Sequence, residues 1–300
     1  MGHVFHFKNP ARPGTGLKVK YTLVHGRDVN RFLQLFRTGN AVMGIVGVVV
    51  ASFMAAGLDI VDGWVNLIIS AVVVFMFICG GNALNDYIDH DIDRTAHPER
   101  PIPSGRMERR TALHAAIVML GGAVVVSFLT FDLECIAIVV IAAVLMVAYE
   151  VALKQRGFVG NVTIAVLTGM MFLLGGAVVG DAQDNVVVAL MALLVSVGRE
   201  ISKDIEDMDS DEGRLTLPMR IGTRNAAALA CVFFVAGPVL SVLPMVWHSY
   251  GPLYYTVVVA DAIFLYCAAV VFNDPHKAQK SAKIAMVVAL VSFILGVFRF

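Results

Sequence analysis

The chain has 300 residues, of which 58% are hydrophobic and only 15% charged. Soluble domains carry about 45–50% apolar and about 25% charged residues, so a soluble globular protein is excluded. A net charge of zero gives no footing for nucleic acid as a partner.

In chain order, residues 1–38 come first: a polar stretch with seven Lys/Arg and no apolar core of signal-peptide type. This reads as a cytoplasmic arm rather than a cleaved leader. Residues 39–300 read as one transmembrane domain. Its apolar runs fall at about 39–57, 61–84, 112–131, 133–152, 159–180, 184–199, 225–246, 253–272 and 283–299, each near the roughly 20 residues that a crossing helix needs. The runs are too long for barrel strands and lack their alternation. Within lipid the backbone must satisfy its own hydrogen bonds, so the expected fold is an all-α bundle of nine transmembrane helices. The four cysteines (Cys79, Cys135, Cys231, Cys267) stand singly in apolar segments and read as small buried hydrophobes.

Charge distribution orients this bundle. With the N-terminus in the cytoplasm, all but one of the 23 Lys/Arg fall on the cytoplasmic side, the exception being Arg299. That asymmetry fits the positive-inside rule for a multi-pass cell-membrane protein.

Two cytoplasmic loops depart from the greasy background. The first is NDYIDHDIDRTAHPERPIPSG, Asn85 to Gly105; the second is GREISKDIEDMDSDEGRLTLP, Gly198 to Pro218. They follow helices 2 and 6, so parity puts them on one face, as if two four-helix units each supplied one loop and a ninth helix were added. If each helix continues into its loop, Asn85, Asp89 and Asp93 share a face, and Glu200, Asp204, Asp207 and Asp211 form a second stripe. Two facing stripes of anionic oxygen repel unless cations stand between them. Hard oxygen donors without a His/Cys cluster point to Mg²⁺, bound by carboxylates together with substrate phosphates. Arg94, Arg100, Arg106, Lys203 and Arg214 lie close enough in sequence to neutralise a diphosphate. One such loop alone would read equally well as a solvated helix end; two on one face favour a site. His90 and His97 read as surface residues, and the prolines and glycine of HPERPIPSG as a fixed turn.

These stretches resemble the two aspartate-rich signatures of the UbiA superfamily of intramembrane prenyltransferases: N-D-x-x-D-x-x-x-D before R-P-x-P-S-G, and D-x-x-D-x-x-x-D before Thr-Leu. Within that superfamily, GREISKDIED is most similar to the archaeal digeranylgeranylglyceryl phosphate synthases. The resemblance implies two Mg²⁺ ions, one on Asn85, Asp89 and Asp93 and one on Asp207 and Asp211, with Asp86 and Asp204 as supporting motif positions. Asp89 and Asp207 become the candidate catalytic residues. Arg100 and Lys203 become diphosphate contacts, with Arg94 and Arg214 beside them. The implied donor is a prenyl diphosphate, and the implied acceptor is geranylgeranylglyceryl phosphate, attacked through its sn-2 hydroxyl. Arg31 and Arg37, just before the first helix, are candidates for holding the acceptor's phosphate.

Two other readings compete. An aromatic acceptor, such as a quinone or chlorin precursor, would share both metal motifs. A transporter would account for the helices and for Asp261, a carboxylate in the middle of the eighth span; transporter sites, however, lie near the midplane, whereas these carboxylates crowd one edge. Asp261 itself reads as a protonated or helix-bridging group.

Overall fold

Long runs of Leu, Val, Ile, Ala and Met, with few charges to solvate, leave the backbone only its own partners, and every regular element that forms is helical. The computed structural model describes residues 30–130, 132–180, 182–208 and 215–299; among them there is no strand. The helices are α1 (Thr38–Ala56), α2 (Trp64–Ile88), α3 (His90–Ala96), α4 (Arg109–Ser127), α5 (Leu133–Ala148), α6 (Phe158–Val179), α7 (Val186–Glu206), α8 (Leu217–Ile221), α9 (Thr223–Val246), α10 (Val257–Val270) and α11 (Pro275–Val297). Among the described residues, eight segments are long and apolar enough to cross a membrane. The first, Thr38–Ile88, has 51 residues and contains both α1 and α2, joined by a 3-10 turn at Gly57–Gly63. Gly57 stops α1 with φ at 60°, a backbone angle open mainly to glycine.

The helix boundaries differ most from the hydrophobic runs at two polar ends. α7 continues to Glu206, past the expected end at 199, and α11 begins at Pro275, ahead of the expected start at 283. Both extensions are amphipathic, so they lower local hydropathy without breaking the helix. Pro275 takes the first turn, where its missing N–H is harmless, and Asp274 caps that turn by accepting from the backbone N–H of Lys277 at 2.9 Å. Residues 30–36, within the expected arm, form a helical turn whose Leu35 is fully buried against Ala83, Leu84 and Ala112. The rest of the arm, 1–29, lies outside the described residues.

Helices approach closely wherever glycine or alanine removes the side chain. A Cβ on Gly175 of α6 would lie 2.3 Å from the Ala51 Cβ and 2.8 Å from the Ala51 carbonyl carbon on α1. A Cβ on Gly80 of α2 would lie 2.7 Å from the Leu120 side chain of α4, and one on Gly169 of α6 would lie 2.9 Å from the Ala189 carbonyl oxygen of α7. With lipid on the outside, such packing rather than hydrophobicity holds the helices together. The buried residues divide accordingly. Two clusters draw chiefly on α1, α2, α4, α5 and α6, and the largest draws on α6 to α11. α10 and α9 are tied by Asp261, whose Oδ2 lies 2.8 Å from Ser241 Oγ, as the helix-bridging reading expected.

Replacing Gly175 by Val forces α1 and α6 apart. The expected loss is about 1–3 kcal/mol, read as a lower melting temperature of the detergent-solubilised protein. Gly121→Ala, which has open space around it, is expected to leave the melting temperature unchanged.

Candidate active site

α2 ends at Ile88, yet the helical register runs on. The backbone N–H of Asp89 still reaches the Asn85 carbonyl at 2.8 Å, and that of Asp93 reaches the Asp89 carbonyl at 2.8 Å. Asn85, Asp89 and Asp93 therefore stay on one face through α3, as the i, i+4, i+8 spacing requires. The loop that follows is a built turn. Met107 N–H bonds to the Pro101 carbonyl at 2.9 Å, Gly105 takes φ 71°, and Pro101 is fully buried. Arg106 donates to the Glu99 carbonyl, and Arg31 donates to the Arg106 carbonyl.

The first acidic cluster is buried: Asp86, Asp89 and Asp93 are 2%, 8% and 4% exposed. Charges so placed require partners, and each has one. Arg37 donates to Asp86 at 2.6 Å and to the Asn85 side-chain oxygen Oδ1 at 3.3 Å. Arg100 donates to Asp93 at 2.5 Å and lies 3.6 Å from Asp86. Lys154 bridges Asp89 and Glu150, at 2.7 Å to each, while the Asn85 amide donates to Asp89 at 3.0 Å and to Glu150 at 3.2 Å.

Glu150 and Lys154 are the site residues that the sequence reading missed. They lie where α5 widens into a single π turn, Tyr149–Leu153, with the Lys154 N–H reaching the Tyr149 carbonyl at 3.0 Å. Such turns are frequent at functional sites. The available signal was Glu150 itself, a carboxylate inside the apolar run 133–152.

The second loop is positioned by α7, whose C-cap is Asp207, with its N–H on the Lys203 carbonyl at 2.9 Å. Asp211 and Arg214 lie outside the described residues. The two loops do meet. Asn85, Asp89, Asp93, Arg100, Lys203 and Asp207 line one cavity of about 1070 Å³, together with Arg37, Glu150 and Lys154.

Of the expected residues, Asp86, Arg94, Arg106, Glu200 and Asp204 stand apart from the cavity lining. Asp86 turns back toward Arg37 and Arg100, and Asp204 accepts from Asn161 on α6 at 2.9 Å; both brace the site from behind. Arg94 points to the exposed Asp91 at 3.7 Å and does not reach the cavity. Of the two arginines considered for an acceptor phosphate, Arg37 enters the cavity, while Arg31 is tied to the Pro-rich loop.

The cavity's donor set, amide and carboxylate oxygens without thiolate, suits a hard divalent cation. Among the described residues no three carboxylate, imidazole or thiolate groups converge tightly enough to enclose an ion; the carboxylates lean on Arg37, Arg100 and Lys154 instead. Toward the bilayer, Ile78, Met146 and Ile164 also line an apolar groove of about 290 Å³ between α2, α5 and α6.

A bundle of membrane-crossing helices with a charged cavity at one end, opening into an apolar groove, is the architecture of an enzyme for amphipathic substrates. The UbiA prenyltransferase family model matches residues 45–294, and the chain belongs to that family. Relatives named digeranylgeranylglyceryl phosphate synthase include those of Methanosphaera stadtmanae, 33% identical over 89% of this chain and 99% of its own length, and Thermococcus gammatolerans, 37% identical over 91% and 98%. A solved structure of a digeranylgeranylglyceryl phosphate synthase superposes with a TM-score of 0.79 at 30% identity, covering 90% of this chain and 98% of that one. A UbiA homolog from Archaeoglobus fulgidus bound to DMAPP and Mg²⁺ shares the fold, with a TM-score of 0.63 at 13% identity over 89% of this chain and 100% of that one.

Lys154→Met would leave Asp89 and Glu150 facing each other without a cation. The expected loss is about 3–5 kcal/mol. Adding Glu150→Gln to Lys154→Met should recover part of it, measured as a double-mutant cycle of melting temperatures.

Proposed function

We propose that the protein transfers a geranylgeranyl group from geranylgeranyl diphosphate to the sn-2 hydroxyl of geranylgeranylglyceryl phosphate, releasing diphosphate. The observation that carries this reading is the single cavity lined by Asn85, Asp89, Asp93, Lys203 and Asp207 and continued by an apolar groove. A diphosphate head suits the first part and an isoprenoid tail the second. The acceptor follows from the relatives named digeranylgeranylglyceryl phosphate synthase.

In this reading the donor's C1–O bond breaks with its electron pair leaving on the diphosphate, and the acceptor hydroxyl oxygen bonds to C1 as its proton departs. Two Mg²⁺ ions, one held by Asn85, Asp89 and Asp93 and one by Asp207 and Asp211, would supply Lewis-acid neutralisation of the leaving group. Lys203 and Arg100 hold diphosphate oxygens. Arg100 is pre-set for this by Asp93 and Asp86. Lys154 and Asn85 fix the rotamer of Asp89, and Asn161 fixes that of Asp204. The apolar groove keeps water from the allylic cation until the acceptor attacks.

The 51-residue first segment would extend about 76 Å as one helix at 1.5 Å per residue, far beyond a bilayer core of about 30 Å. We therefore read α1 and α2 as two crossings, which makes nine, with the cavity and the N-terminus on the cytoplasmic side that the basic residues favour.

The test is an incubation of the detergent-solubilised protein with geranylgeranyl diphosphate, Mg²⁺ and geranylgeranylglyceryl phosphate, with the lipid product followed by mass spectrometry. The doubly alkylated glycerol phosphate should form. It should drop by at least about a hundredfold in Asp89→Asn and Asp207→Asn, and with EDTA. Metal-dependent alkylation of hydroxybenzoate in its place would reassign the acceptor to the aromatic class.

A further inference from the structure

α11 begins about two turns ahead of its apolar run, at Pro275 rather than near 283, and the added turns carry polar side chains. Two of these reach across to the end of α7. His276 Nδ1 donates to one carboxylate oxygen of Glu206, and Gln279 Nε2 donates to the other at 3.1 Å. His276 and Gln279 are three residues apart, hence on one face of α11. The carbonyl oxygen of the same Gln279 amide is buried and has no partner among the described residues. Turned the other way, that oxygen would face the Glu206 carboxylate, so the bond to Glu206 sets the amide. Ala278 and Ala282 beside this pair are fully buried in one cluster with Ile201, against which Ile205 packs. The two helices are therefore already close where the polar contacts form.

Glu206 adjoins Asp207, and its grip bears on the face that α7 turns to the cavity. At about 100° per residue, Lys203 and Asp207 share that face, with Asp204 on one flank and Glu206 on the other. Asp204 is braced by Asn161 of α6 and Glu206 by α11, so the last turn of α7 is held against rotation on both flanks. Side chains extend about 5–6 Å from a helix axis. A roll of about 10° would carry the Asp207 carboxylate about 1 Å, and a misplacement of that size costs catalysis about a hundredfold.

We propose that His276 and Gln279 are positioning residues for the transfer reaction: through Glu206 they hold the last turn of α7 and so aim Lys203 and Asp207 into the cavity. This rests on the prenyl-transfer reading above. The last helix thereby serves the site, although no described residue of it lines the cavity.

The experiment titrates Mn²⁺, a hard octahedral stand-in for Mg²⁺, into the detergent-solubilised protein with inorganic diphosphate. Binding is read by electron paramagnetic resonance, beside steady-state kinetics. His276→Ala and Gln279→Leu are each expected to weaken the binding of one Mn²⁺ ion by at least about tenfold. kcat is expected to fall by a similar factor, while the KM for geranylgeranylglyceryl phosphate stays unchanged. Glu206→Gln should weaken Mn²⁺ binding as well, and adding Gln279→Glu, which reverses donor and acceptor, should restore it. Gly296→Ala is the structural control. Its Cβ would lie 2.8 Å from the Tyr254 Cβ, so it strains α11 at the opposite end without reaching Glu206. It is expected to lower the melting temperature and to leave Mn²⁺ binding at the parental level. Parental Mn²⁺ binding and kcat in folded Gln279→Leu, or a loss no greater than in Gly296→Ala, would overturn the positioning role and leave the transferase reading intact. A parental protein that binds no Mn²⁺ with diphosphate and transfers no prenyl group would overturn both.

Discussion

A carboxylate at the edge of a bilayer is tolerable only while positive charge stands beside it, and this constraint shapes the whole charged end of the molecule. Asp86, Asp89 and Asp93 are too buried for water to screen them, so Arg37, Arg100 and Lys154 are brought in from three different parts of the chain. Each pairing fixes an element. Arg37 anchors the entry to α1, Arg100 the Pro-rich turn, and Lys154 the π-widened end of α5. Substrate recognition and folding are therefore not separate problems at this end. The cations that hold this end of the fold, two guanidinium groups and an ammonium, are of the kind that also pairs with phosphate oxygens.

Rigidity for that exchange comes from the membrane-embedded part. Glycine-mediated contacts, Gly80 on Leu120, Gly169 on the Ala189 carbonyl and Gly175 on Ala51, bring helices from both halves into near backbone contact. Apolar side chains against lipid would supply little force for this. The wide gap that remains is the one between α2, α5 and α6, where Met146, Met170 and Met171 line the groove. Thioethers adapt to an irregular guest more readily than branched side chains do, so this part of the groove has a flexible lining.

Much of this was legible in the sequence because it depends on local periodicity. The spacing of Asn85, Asp89 and Asp93 survives as a common face because backbone hydrogen bonds continue through the break at Asp89. The two loops share one cavity because helix parity places them on the same side. What was not legible depends on tertiary placement. Asp86 has the same chemistry as Asp89, yet it lies three residues earlier on the helix and turns away from the cavity. Lys154 and Glu150 are remote in sequence and become site residues only because α5 ends beside α2. The apolar runs end short of α7 and begin late for α11 for a different reason. Hydropathy reports where lipid stops, and these helices do not stop there.

The short connection between α5 and α6 has a further consequence. Gly157, with φ at 61°, lies so close to residues 215–217 that a Cβ would stand 3.1 Å from the Leu215 carbonyl oxygen. Three residues earlier in the same connection, Lys154 grips Asp89. One turn of chain thus touches the first acidic cluster with one end and the exit of the second acidic loop with the other. The two halves of the protein carry separate motifs on separate helices, but they are mechanically in series through this segment. A change in the α5–α6 connection therefore acts on both acidic regions at once.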